Sequence, residues 1–79
     1  MSNVFYGLGP DSMTDVTAVA IEKCMENNCL TIPIGDPERA ELFGMDPYYG
    51  QLKSVFIVGP SGETVCYDHM TPVNIPDFV

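Results

Sequence analysis

Two stretches of this chain alternate apolar and polar residues, one is continuously apolar, and one repeats at helical spacing; turn residues separate them. Leu30, Ile32 and Ile34 alternate along 29–34, and Val65 and Tyr67 along 63–68. Both patterns predict half-buried strands. Ser54 to Val58 is apolar, β-branched and aromatic, which predicts a central strand over about 51–58. Val16, Val19, Ala20 and Cys24 share one face at a 3.6-residue period, with Glu22 and Glu26 turned away. This predicts a helix over about 18–27, capped by Asp15 or Thr17 and ended by Asn27-Asn28, since Asn tolerates the left-handed conformation.

The remaining elements follow from turn chemistry. Val4, Phe5 and Tyr6 form a short strand, with Gly7, Gly9, Pro10, Asp11 and Ser12 as the turn behind it. Asp36-Pro37-Glu38 starts a short helical turn over 37–43, closed by Gly44. Gly59-Pro60-Ser61-Gly62 is a hairpin loop. Residues 73–76 form a last strand, and the prolines around it place it at a sheet edge. The chain reads as a single α+β domain over 1–79, a small antiparallel β-sheet or sandwich with one main helix and one short helical turn. Its core is expected to hold Ile32, Val55, Ile57 and Val65.

Composition narrows the function classes. Hydrophobic residues make up 46% and charged ones 18%, so the chain is globular and not disordered. With 79 residues the core is small and stability marginal, a deficit that an assembly would relieve. Eleven acidic residues against three basic ones give a net charge of −8, which opposes nucleic-acid binding. The acids are scattered and not in rows, which argues against mimicry of DNA. No stretch is long and apolar enough for a membrane span, and no basic-then-apolar leader opens the sequence. Cys24, Cys29 and Cys66 are an odd set. Without a recognisable signal peptide they are expected as reduced thiols, inside a cell or in a virion, packed as small core residues.

Candidate chemistry is sparse. His69 is the only histidine, and Cys24 and Cys29 lack the two-residue gap of a zinc site, so neither a metal nor a cofactor is expected. A Cys66–His69 nucleophilic pair has no orienting third group or oxyanion motif. Gly7-Leu8-Gly9 lacks the third glycine and the helix of a dinucleotide loop. The carboxylates of Asp36 and Glu38 are explained by helix capping. What remains is Asp46, Gly50 and Lys53, with Tyr6, Tyr48 and Tyr49. A carboxylate, an ammonium and aromatic faces suit a polyol or sugar. The alternative is a turn capped by Asp46, a strand charge at Lys53 and half-buried tyrosines.

The same residues carry a resemblance. Phe43-Gly44-Met45-Asp46-Pro47, then Gly50, Lys53 and an apolar strand, resembles the closing motif of galactose- and rhamnose-binding lectin domains of the sea-urchin-egg type. Tyr6-Gly7 resembles their Tyr-Gly-Arg, and Ala20 to Ile32, with Cys24 and Cys29, resembles their helix that runs through a Cys pair into a strand. The likeness spans about 6–58, with an insertion near 36–41. It implies a ligand site at Tyr6, Asp46, Gly50 and Lys53. Tyr48 stands where those lectins have a disulfide cysteine, Leu8 replaces their sugar-contacting Arg, and Gln51 replaces Thr. Asp15-Val16-Thr17, Ile32-Pro33, Arg39 and Ile75-Pro76 also resemble a pattern in small proteins and domains of bacteria and large DNA viruses, which implies a structural or adhesive role.

The expectation is a non-catalytic interaction module, a minor structural subunit of a larger assembly such as a virus particle, with protein partners and no enzymatic activity. A lectin-like carbohydrate-binding module is the alternative, and its partner would be a glycan. On the first reading the Asp46–Lys53 loop is a brace within the fold.

Overall fold

The computed structural model describes residues 2–9, 11–44 and 52–78. Among these residues seven strands form two antiparallel sheets that share a core with two helices, so the α+β class holds. The elements are β1 (Asn3–Gly9), β2 (Ser12–Asp15), α1 (Thr17–Cys24), β3 (Met25–Glu26), β4 (Cys29–Ile32), α2 (Asp36–Phe43), β5 (Ser54–Val58), β6 (Thr64–Tyr67) and β7 (Val73–Ile75). One sheet runs β2-β1-β5-β6 and the other β3-β4-β7. Among the described residues, β7 lies at an edge, as the prolines around it require.

The central pair sets the core. In β1 and β5, Val4 lies opposite Ile57 and Tyr6 opposite Val55, so these four share one face, and all are buried. Helix α1 packs Ala20 and Cys24, with Val16 at its cap position, into the same cluster and touches both β1 and β4, tying the two sheets together. Leu30, Ile32, Val73 and Phe78 complete the far side. The Phe78 N–H donates to the Asn28 carbonyl at 3.1 Å and closes the C-terminal segment over the core.

Several boundaries differ from the sequence pattern. β1 is longer than 4–6 and takes in Gly7 and Gly9, which were expected in a turn; the chain then folds back as β2, with a register shift between Gly7 and Gly9. A Cβ on Gly7 would sit 2.5 Å from the Met13 Cα, so only glycine admits this close pairing. Helix α1 stops at Cys24 instead of 27. Asn27 and Asn28 are indeed left-handed, with φ 52° and 64°, but they form the two-residue turn of the β3–β4 hairpin. At the other end Val16 holds the cap position, and Asp15 Oδ1 accepts the Thr17 N–H at 2.8 Å. The Thr17 hydroxyl is engaged elsewhere, accepting the Val4 N–H at 2.9 Å.

Gly44 closes α2 in the left-handed conformation, φ 70°, as expected. Strand β4 ends at Ile32, and Ile34 is exposed beyond it. Val65 is not a core residue: it is 48% exposed. It faces the same side as Ile57, but among the described residues β6 is an edge strand, with β5 its only strand partner. The cysteines also separate. Cys24 is buried, Cys29 is intermediate and Cys66 is exposed, so only the first is the core residue expected of all three.

Candidate functional site

Tyr6, which the lectin-like pattern implicates, sits on the core face of β1 and is fully buried. The Phe43 ring, at the end of α2, tilts against it with centroids 5.0 Å apart and planes at 58°. Lys53, one residue before β5, brings its ammonium to 5.8 Å from the Tyr6 ring centroid. That is cation–π distance, and removal from water strengthens the attraction. Lys53 is 1% exposed. Phe43 and Lys53 therefore converge on one aromatic ring from the two ends of the segment that carries the remaining candidates. Asp46 and Gly50, with Tyr48 and Tyr49, lie outside the described residues.

A second buried cation was not assigned a role by sequence reasoning. Arg39, on α2, is 0% exposed, and its guanidinium donates to four backbone carbonyls. Nε reaches the Pro33 oxygen at 2.8 Å. Nη1 reaches the Tyr67 and Asp68 oxygens at 3.3 and 2.8 Å, and Nη2 the Thr71 oxygen at 2.5 Å. The planar fork of arginine suits such divergent acceptors. It fastens the β4–α2 connection to the turn after β6, where the Gly35 N–H also donates to the His69 carbonyl at 2.8 Å.

The turn is organised from within by Asp68. Its Oδ1 accepts the Met70 N–H and the Thr71 hydroxyl, each at 2.9 Å. These bonds, the backbone one first, hold the Asp68 carboxyl below the ordinary carboxylate range. Burial pushes the Cys24 thiol up, with a smaller opposing pull from the Lys23 ammonium. Cys29 donates its S–H to Asn74 Oδ1 at 2.9 Å across the β4–β7 pair. Among the described residues there is no buried side-chain nitrogen or oxygen without a partner, and no group of three or more His, Cys, Asp or Glu placed to hold a metal.

Charge is thus divided by depth. Of three cationic side chains, two are buried and Lys23 alone is exposed. Every acidic side chain the structure describes is exposed. The arrangement has the chemistry of internal fastening under an anionic surface. Among the described residues no helix is long and apolar enough to cross a membrane. Compared with protein-family models, curated proteins and solved structures, the chain matches none of them closely enough to mark a relative.

Proposed function

We propose that this chain is a non-catalytic interaction and structural module, a minor subunit of a larger protein assembly such as a virus particle. The observation that carries the reading is the burial of Tyr6 and Lys53 against each other. A sugar site needs its aromatic face and its ammonium open to solvent, where they meet ring faces and hydroxyls. Here both groups are withdrawn from solvent, which favours a brace. The division of charge adds to this. Cations holding loops inside, with acids outside, suit a protein that keeps its shape and meets basic partners.

Two measurements test the proposal. Light scattering behind size exclusion reads the mass of the isolated chain, alone and with candidate partner proteins. A glycan array, followed by calorimetry with rhamnose and galactose, tests the lectin alternative. The brace reading expects no sugar affinity tighter than about millimolar, where roughly −4 kcal/mol is the whole binding energy. It also expects Asp46→Ala and Lys53→Ala to lower stability by about 1 kcal/mol or more each. Tight sugar binding that vanishes in Lys53→Ala, with the melting temperature unchanged, reverses the ranking.

A further inference from the structure

The sheet edges are not equally protected. β7 is flanked by Pro72 and Pro76, which deny a neighbour the backbone donors of a continuing strand. β2 lies against the register shift at Gly7 and Gly9, and such irregularities bend an edge away from pairing. β3 has only two residues. β6 carries none of these devices. Among the described residues β5 is its only strand partner, and Thr64, Val65 and Cys66 are exposed whichever face they point to. It has no proline and no lysine, and an apolar residue stands half-open at its centre. Such an edge is a template for one more strand.

Charge selects the occupant. Glu63 and Asp68 stand at the two ends of β6, and both are exposed. A second copy paired antiparallel across this edge would bring the Glu63 end of each chain to the Asp68 end of the other, and the overall charge of −8 adds repulsion. The geometry points to β6 as the docking edge for an extended segment of a partner protein, apolar at alternate positions and with a Lys or Arg at each end. This deepens the assembly reading and rests on it. Main-chain bonds give the affinity, Val65 and Cys66 meet the alternate side chains on the two faces, and the terminal acids set the sign of the partner. The bonds that lower the Asp68 pKa favour its ionised form.

The experiment titrates the isotope-labelled full chain with a synthetic peptide of alternating Val and Thr carrying Lys at both ends, followed by nuclear magnetic resonance. Expected are amide shifts concentrated on Thr64 to Tyr67, slowed exchange of the Thr64 and Cys66 amides, which point away from β5, and roughly tenfold weaker binding at high ionic strength. The same peptide ending in Glu should bind at least about tenfold less. Val65→Lys should abolish binding while keeping the native spectrum, because Val65 is half-exposed. Should that variant lose its fold, Thr64→Lys makes the same test on the same strand. Shifts centred elsewhere, no shifts at saturating peptide, equal binding of the Glu-ended peptide, or unchanged affinity in the folded variant would each overturn the inference. Equal binding of the Glu-ended peptide removes the basic-ended partner, the other outcomes remove β6 as the surface, and all leave the assembly role standing. That role is decided separately by the mass and sugar measurements.

Discussion

Replacing Arg39 with Met is the sharpest test of how this small fold holds together. The substitution keeps most of the aliphatic volume and removes a guanidinium that donates to the Pro33, Tyr67, Asp68 and Thr71 carbonyls. A hydrogen bond to a charged group contributes about 1.5–3 kcal/mol, and an ordinary one about 1. Four bonds from one side chain are not additive, and water can reach some of the partly buried carbonyls. Taking the ordinary value for each gives a loss of about 4 kcal/mol. A 79-residue chain has roughly 4–12 kcal/mol of stability in total. Arg39→Met should therefore remove a third or more of it, with marked loss of structure at 37 °C. Arg39→Lys should fall between, because a point-like ammonium cannot reach acceptors spread around a planar fork. Arg39→Met also removes one positive charge and makes the net charge of −8 more negative by one, so Lys23→Met is the control: it changes charge equally from an exposed position. Urea unfolding followed by circular dichroism reads all three. If Arg39→Met costs no more than Lys23→Met, roughly 0.5 kcal/mol, the clamp contributes nothing and the reasoning is wrong.

Three further outcomes follow from the same structure. Ile57→Asp, in the core, should cost about 3 kcal/mol or more and unfold the chain, whereas Val65→Asp should stay within about 1 kcal/mol; equal losses by thermal unfolding would place β6 inside the core after all. Under native conditions an alkylating reagent should modify Cys66 first and Cys24 last, since Cys24 is buried and its thiol pKa is raised; mass spectrometry of the time course, with Cys24 labelled early, would contradict the packing. The Asp68 pKa is lower in the folded chain than in the unfolded one, so its contribution is present above about pH 4 and fades as pH falls through the folded value. Asp68→Asn should flatten that part of the acid limb of the stability curve, and an identical limb in both proteins would show that the turn bonds do not depend on the carboxylate.

What the sequence determined by itself is local. Alternation placed β4 and β6, a continuous β-branched and aromatic run placed β5, and the helical period placed α1 and its buried face, because these patterns reflect how much of an element meets apolar neighbours. Gly44 as a left-handed cap and the left-handed Asn27 and Asn28 are likewise properties of single residues. Tertiary structure decided what those properties were used for. Asn27-Asn28 serves a hairpin because Met25 and Glu26 find partners in β4, a contact that spacing cannot announce. Gly7 reads as a turn residue, yet it lies in a strand because β2 comes too close for any side chain. Val65 has the same β-branched alternation as Ile57, and only its place in the strand order leaves it open to solvent. Lys53 and Arg39 look like surface charges in a composition count. Their burial depends on an aromatic ring and on carbonyls contributed by distant segments, and no local pattern carries that information. The one trace in the sequence was scarcity: with three cations in the whole chain, an arginine within an acidic helix had reason to be there. Depth, and with it the separation of inner cations from outer acids, is set by the packing of both sheets on α1.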